Sequence, residues 1–216
     1  MNKKIVLAIV WTIGWIHVFF FSPSLAESGS LMAYLDAAMN NKTDSIDALN
    51  YMFFNLLGVW PFVMIAMLVQ DLQGKIKAWP FAFSTMVFGN SALYIYLFCR
   101  KEQGSYVAPK TLLVRFAESK ILAVLLLAAT VYLYYYGYTA ADFQVFQQTW
   151  QSNFYAAAIV ADFFLFSIAF AFVLADDMRR RNMPVNGLFW FFVLLPLLGA
   201  TSYLLIRKKL PDSNIG

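Results

Sequence analysis

Six long apolar runs alternate with shorter polar stretches along the chain. The runs cover residues 5–21, 51–69, 81–99, 121–138, 154–175 and 187–206. A helix of about 20 residues spans the roughly 30 Å of hydrocarbon in a bilayer. Because lipid offers the backbone no hydrogen-bond partner, an apolar segment of this length must be helical. The pattern therefore predicts an all-α, polytopic integral membrane protein, with residues 1–216 forming a single transmembrane domain of six helices.

The composition supports a membrane protein. Hydrophobic residues make up 61% of the chain and charged residues only 13%, against about 45–50% and 25% in soluble proteins. A soluble domain of this size leaves too much surface in water to accommodate so many apolar side chains. No basic stripe with stacking aromatics lies outside the apolar runs, so nucleic acid is not an expected partner. The expected partners are membrane lipids.

Two short stretches outside the long runs favour helices along the membrane surface. Residues 31–39 alternate apolar and polar positions, and residues 111–116 form the second such stretch. After the first run, the sequence SPSLAES resembles a signal-peptidase site. That run is longer than the 7–15 residues usual for a signal-peptide core, which favours a retained first helix over a cleaved signal. The sequence gives no evident internal repeat.

The run 154–175 contains one acidic residue, Asp162. A charged side chain in the middle of a bilayer costs about 2.5–3.5 kcal/mol, so Asp162 is expected to face protein or water. At about 100° per residue, Tyr155, Asp176 and Arg180 fall on the same side of this helix. Two interpretations stay open. Asp162 is either part of a proton or ion pathway or a structural hydrogen-bonding residue.

Several polar residues near the ends of the runs form a candidate functional face. One hypothesis is that carboxylates and a histidine line a mouth there and perform acid–base chemistry on a lipid-like substrate. The alternative is that helix ends simply carry charged residues that reach the headgroups. The candidate residues are His17, Asn55, Glu118, Asp162, Asp176, Asp177 and Arg180.

The chain has one cysteine, Cys99, and one histidine, His17. A disulfide within the chain and the usual His/Cys metal clusters are therefore excluded, and neither a metal site nor a cofactor is expected. No Gly-rich phosphate-binding loop is present. The sequence DDMRRR at 176–181 has adjacent acids, but the chain has no second acidic motif of the kind that prenyl-transferring enzymes use to bind a metal–diphosphate.

The positive charges conflict with six crossings. Six spans place both termini on one side, with seven basic residues there (Lys3, Lys4, Lys75, Lys77, Arg207, Lys208 and Lys209) and the other nine opposite. Either the connector 100–120 tolerates its charge outside, or residues 81–99 enter the membrane without crossing it. The first helix usually sets orientation, which predicts cytoplasmic termini in the bacterial inner (plasma) membrane.

Four stretches of the sequence resemble a known group of proteins. They are NLLGVWP (55–61), ESK (118–120), DFF with DDMRRR (162–181) and LLPLLGATSYLLIRK (194–208). In these stretches the chain is similar to small, mostly uncharacterised multi-span membrane proteins of cyanobacteria, plastids and other bacteria. It has a fainter similarity to the plant membrane proteins required for neoxanthin synthesis. The resemblance implies a membrane protein without an assigned activity, and it transfers no catalytic residue.

Two functions follow from these observations. The first is a non-catalytic membrane component that binds a lipid, a pigment or a partner protein through the polar face. The alternative is a membrane enzyme or carrier that acts on an isoprenoid-type or other lipophilic substrate with acids near Asp162 and Asp176. The sequence does not decide whether the protein is an enzyme.

Overall fold

The structure, a computed structural model, describes residues 3–42, 46–69, 76–100 and 111–210. Within these ranges the regular secondary structure is entirely α-helical. The helices are α1 (Lys3–Phe21), α2 (Leu31–Met39), α3 (Ala48–Leu68), α4 (Ala78–Phe88), α5 (Asn90–Cys99), α6 (Leu112–Ala117), α7 (Lys120–Ala140), α8 (Phe143–Ser152), α9 (Phe154–Arg180), α10 (Gly187–Leu194) and α11 (Leu198–Ile206).

Four helices are long and apolar enough to cross a membrane. They are α1, α3, α7 and α9, with 19, 21, 21 and 27 residues. Their bounds agree closely with four of the predicted runs, because hydrophobic length determines where a membrane helix begins and ends. The all-α class is confirmed and is compatible with a membrane protein, whereas the count of six spans is not confirmed: the described residues contain four candidates.

The run 81–99 is two helices that fold back on each other. Gly89 separates α4 from α5 and has φ 56° and ψ −146°, a backbone conformation that is essentially restricted to glycine. The rings of Phe81 and Tyr96 lie 5.6 Å apart, although 15 residues of continuous helix would separate them by about 22 Å. The two helices therefore form a hairpin.

The run 187–206 is a second helical hairpin. The backbone turns at Pro196, which cannot continue a helix with normal hydrogen bonds, and Leu197 has a φ of 58°. A Cβ placed on Gly199 would lie 2.1 Å from the carbonyl oxygen of Phe192, so the backbones of α10 and α11 are in direct contact. The ring of Phe192 also lies 5.3 Å from that of Tyr203.

The chain forms two compact units, and α3, α7 and α9 contribute residues to both. The first unit comprises residues 1–59 and 130–165. Its buried residues include a cluster in which α2 packs near the start of α9. Phe53 of α3 contacts the ring of Phe163 of α9 at 5.3 Å and that of Phe146 of α8 at 5.9 Å.

The second unit comprises residues 60–129 and 166–216. Trp60 is fully buried there and stacks on Phe166 with ring centroids 5.8 Å apart and planes 7° from parallel. Such aromatic pairs add about 0.5–1.5 kcal/mol beyond burial. Both hairpins and the charged cluster described below belong to this unit.

Two of the short helices were predicted from the sequence and a third was not. The predicted interfacial helix 31–39 is α2, and the predicted stretch 111–116 corresponds to α6. The sequence analysis did not identify α8, where the Asp142 carboxylate accepts hydrogen bonds from the backbone N–H groups of Gln144 and Val145 at 2.9 and 3.2 Å. This is the arrangement of a helix N-cap.

Candidate functional site

Five residues of the second unit form a buried, hydrogen-bonded group that we call the Asp177 cluster. Two acids, two arginines and a tyrosine converge from four parts of the chain: the end of α9, the connector between α6 and α7, α11, and the residue after α11. The members are Glu118, Asp177, Arg181, Tyr203 and Arg207. Charged residues are almost never fully buried unless they are paired, so this cluster is the principal candidate site.

Arg181 is the centre of the cluster. Its Nε donates to Asp177 Oδ2 at 2.7 Å, one helical turn earlier in the chain. Its NH1 and NH2 groups donate to the two carboxylate oxygens of Glu118 at 2.9 and 2.7 Å. This two-pronged geometry matches the planar guanidinium, which binds a carboxylate more specifically than a lysine does. The side chain of Arg181 is 0% exposed, so this buried cation is paired with both carboxylates of the cluster.

Arg207 attaches the end of the second hairpin to two other segments. One of its amino groups donates to the backbone carbonyl of Ala66 at 3.1 Å, and the other to that of Ala117 at 2.7 Å. Arg207 also lies 3.0 Å from Glu118 and 3.8 Å from Asp177. Every one of these partners is an acceptor, as a buried guanidinium requires.

The remaining acceptors at the end of α11 are satisfied by Lys120. Its Nζ donates to the carbonyls of Leu204 at 3.4 Å and Arg207 at 3.2 Å, and also to that of Leu205. The last carbonyls of a helix have no partner within it, and a cation there also interacts favourably with the helix dipole. Lys120 therefore anchors the hairpin next to the Asp177 cluster.

The electrostatics of the cluster favour fixed ion pairs over proton transfer. Burial raises the pKa of Glu118, but the hydrogen bond from Arg181 and the positive charges of Arg207 and Arg181 outweigh that effect and hold the pKa below its ordinary value. Tyr203 donates its hydroxyl to Asp177 Oδ2 at 2.7 Å. A general acid or base needs a pKa near the working pH, and a carboxylate with a lowered pKa stays ionised there.

Asp176 faces a different partner from its neighbour Asp177. It forms an ion pair with Arg100, the residue that follows α5, and a weaker one with Arg179 at 3.4 Å. The Arg100 and Asp176 side chains are 11% and 16% exposed. The two adjacent acids therefore contact the ends of different hairpins. Asp176 pairs with Arg100 at the end of the first hairpin, and Asp177 lies beside Arg207 at the end of the second.

Comparison of the chain with protein-family models, with curated proteins and with solved structures gave no match. The candidate site therefore rests on its own geometry.

The other predicted site residues lie in different environments. Glu118 and Asp177 meet in the cluster through Arg181 and Arg207, and Arg180 is partly buried at the end of α9. His17 is exposed in the first unit and packs against the rings of Phe21 and Trp150. Asn55 donates to the carbonyl of Tyr51 in its own helix at 2.8 Å. Both residues have local roles that explain them without chemistry.

Asp162 lies in the first unit and is 7% exposed. Its burial matches the expectation that an acid within an apolar helix avoids lipid. The structure thus assigns Asp162 to one unit, and Glu118, Asp176, Asp177 and Arg180 to the other.

We predict that Asp162→Asn preserves insertion and the thermal unfolding midpoint in detergent, because the amide fills the same space and keeps hydrogen-bonding capacity. Asp162→Leu is the matched comparison, since it removes that capacity at similar volume and should lower the midpoint. Equal losses in both variants would show that the fold requires the negative charge itself, and would contradict a role for this residue through neutral hydrogen bonding.

Sequence analysis missed Arg181, Tyr203 and Arg207 as site residues. Arg207 was counted there only among the basic residues on the side of the termini, whereas it is 4% exposed. One signal was available. Tyr203 and Arg207, like Asp177 and Arg181, are four positions apart, which places each pair on one helical face. That spacing identifies residues on one face but gives no indication that the two faces meet.

Proposed function

We propose that the protein crosses the bacterial inner membrane four times, and that both hairpins enter and leave the membrane on the side of the termini. The crossing helices in this proposal are α1, α3, α7 and α9. The hairpin helices have 8 to 11 residues, a length of about 12–16 Å each and so about half the hydrocarbon thickness. A helix of that length returns to the side from which it entered.

The distribution of basic residues supports this topology. With four crossings, every one of the 16 lysines and arginines except Lys42 falls on the side of the termini. Loops rich in lysine and arginine remain in the cytoplasm, so the termini are cytoplasmic in this proposal. The conflict that six crossings create no longer arises, because the connector 100–120 then lies on the basic side.

The function that this arrangement supports best is the binding of a lipophilic small molecule, such as a lipid or a pigment, by a non-catalytic membrane protein. The observation that carries the proposal is the pair of broken helices. Helix ends at membrane depth expose backbone groups that only protein or a cavity can satisfy. In membrane proteins with internal symmetry, two interrupted apolar segments are the best sequence-level indication of a binding site.

A non-catalytic role is favoured by the state of the acids. Glu118, Asp176 and Asp177 are all paired with arginines. A buried acid that is paired with an arginine serves to hold segments of the fold together and needs no catalytic role to explain it. The resemblance to multi-span proteins of cyanobacteria and plastids points in the same direction, since it implies a membrane component without an assigned reaction. A membrane partner protein is the other ligand class of this proposal.

We expect a lipophilic molecule to co-purify with the protein at a fixed ratio. The protein is purified in a mild detergent, extracted with organic solvent, and analysed by mass spectrometry and by absorbance. The same extraction is applied to whole membranes and to an unrelated multi-span protein from the same cells. One compound enriched over both controls supports the proposal, whereas bulk lipids in their membrane proportions contradict it.

The second candidate function is a carrier or enzyme for an isoprenoid-type or other lipophilic substrate, with Asp162 as an acid that takes part in it. The burial of Asp162 favours it, because acids within membrane helices are costly and often lie on proton pathways. Once a ligand is known, Asp162→Asn separates the two functions. A folded variant that binds the ligand but no longer moves or converts it supports the carrier or enzyme.

A further inference from the structure

The order of the helices repeats along the chain. A crossing helix, a short helix, a second crossing helix and a helical hairpin occur first as α1, α2, α3 and α4–α5, and again as α7, α8, α9 and α10–α11. The matching helices have similar lengths, for example 9 and 10 residues for α2 and α8. We call residues 3–99 module 1 and residues 120–206 module 2, and α6 lies between them.

The match extends to register within the long helices. The boundary between the two compact units falls after Val59 in α3 and after Leu165 in α9. In each helix this is the twelfth residue, counted from Ala48 and from Phe154. The third helix of each module is therefore divided between the units at the same position, whereas α1 lies wholly in the first unit and α7 contributes residues to both.

The ends of the two hairpins also match in sequence. Residues 96–101 read YLFCRK and residues 203–208 read YLLIRK, with four of six positions identical. The two tyrosines are both buried, at 1% and 0% exposure. In each case the arginine follows the last residue of the second hairpin helix, at Arg100 after α5 and at Arg207 after α11. The equivalence thus rests on side chains as well as on helix order.

Each of these arginines contacts the long helix of the other module, and Arg207 also lies 3.8 Å from Asp177 of α9 in its own module. Arg100 of the first hairpin pairs with Asp176 of α9. Arg207 of the second hairpin donates to the carbonyl of Ala66 in α3 at 3.1 Å. The contacts run in both directions between the copies, as an approximate twofold axis requires, but they lie one helical turn apart, at the nineteenth residue of α3 and the twenty-third of α9.

We propose that residues 3–99 and 120–206 are two copies of one membrane module that hold each other together through the arginines at the ends of their hairpins. In the four-crossing topology proposed above, on which this step rests, both copies begin and end on the same side of the membrane, so they are parallel repeats with the axis along the membrane normal. This proposal rests on the hairpins and their contacts and does not depend on the identity of any ligand.

The test moves each arginine by one position. Each variant exchanges the arginine with the residue before it, which keeps the composition constant but turns the guanidinium by about 100° around the helix axis. The two variants are Cys99→Arg with Arg100→Cys, and Ile206→Arg with Arg207→Ile. The matched controls exchange the hairpin sequences. Phe98→Leu with Cys99→Ile makes residues 96–101 identical to 203–208, and Leu205→Phe with Ile206→Cys does the reverse.

Both moved arginines are expected to lower the thermal midpoint by roughly 3–12 °C, which corresponds to one lost charged hydrogen bond in a chain of this size. Both exchanges are expected to leave the midpoint within about 2 °C of the wild type. A loss for the second hairpin without a loss for the first would overturn the proposal. So would a large loss in either exchange.

Cross-linking keeps the proposal testable if a moved arginine prevents folding. A protease site is inserted in the linker 101–110 of the full chain, with Cys99→Ser as background. The cysteine pairs are Arg100→Cys with Asp176→Cys, and Ala66→Cys with Arg207→Cys. A short bifunctional thiol reagent should hold the cleaved halves together in both pairs. Halves that separate in either pair after cleavage, although both cysteines still react with a monofunctional thiol reagent, would refute the reciprocal arrangement.

Discussion

Replacing Arg181 with leucine is expected to lower the free energy of unfolding by about 3–5 kcal/mol, because it leaves two carboxylates of the cluster with Arg207 as their one remaining cationic partner there. Arg181 is fully buried and makes three hydrogen bonds to Glu118 and Asp177 between 2.7 and 2.9 Å. Removal of one partner from a buried ion pair costs far more than the pair contributes, since the other charge stays in a medium of low dielectric constant. The measurement is reversible unfolding in mixed detergent micelles.

Arg179 provides the matched control for this variant. It lies two residues earlier, its side chain is 58% exposed, and it contacts Asp176 at 3.4 Å. An exposed ion pair of this kind contributes about 0–1 kcal/mol, so Arg179→Leu should be nearly neutral. Similar losses in the two variants would contradict the burial of the Asp177 cluster.

Gly199→Ala is expected to destabilise the protein by about 3 kcal/mol or more, at the upper end of the cost of overpacking. The added Cβ would lie 2.1 Å from the carbonyl oxygen of Phe192 and 2.6 Å from its carbonyl carbon. Backbone atoms cannot rotate away as the end of a side chain can, so α10 and α11 must separate. The expected result is a large fall in the thermal midpoint and in the yield of inserted protein.

Gly58 is the control for this prediction. It lies within α3, and a Cβ there would meet nothing within 4 Å. Alanine is the better helix former of the two residues by about 1 kcal/mol, so Gly58→Ala should leave stability unchanged or raise it slightly. If Gly199→Ala behaved like Gly58→Ala, the close contact within the second hairpin would be wrong.

The hydrophobic pattern predicted the membrane class and the four long helices because length and apolarity alone determine them. The predicted runs 121–138 and 154–175 correspond to α7 (Lys120–Ala140) and α9 (Phe154–Arg180). Short helices that lie along an interface also leave a pattern, which located α2 at residues 31–39.

The hairpins could not be recognised from the same pattern. An apolar run of about 20 residues has the same composition whether it crosses the membrane once or turns back halfway. The difference lies at single positions, in the left-handed φ of Gly89 and Leu197 and in the proline at 196. One sequence-level indication was the distribution of basic residues, which conflicts with six crossings. One of its two explanations was that residues 81–99 enter the membrane without crossing it.

The candidate site was predicted only in part, because its contacts are far apart in sequence. Glu118 and Asp177 were both selected as charged residues at the ends of predicted helices. Their common partner, Arg181, lies 63 residues after Glu118, and Arg207 meets Ala66 across 141 residues. Periodicity assigns residues to a face of one helix, but the packing of the hairpins decides which faces meet.

The single native cysteine tests the proposed topology directly. Cys99 is a free thiol, exposed at the end of α5, and it follows the first hairpin. A membrane-impermeant maleimide is used to label Cys99 in the wild type and, in a second variant, a cysteine introduced by Glu27→Cys in a Cys99→Ser background. Both proteins are labelled in spheroplasts and in inverted vesicles. Four crossings place positions 27 and 99 on opposite sides, so we predict labelling of position 27 only in spheroplasts and of Cys99 only in inverted vesicles. Labelling of both positions from the same side would establish six crossings and contradict the hairpin topology.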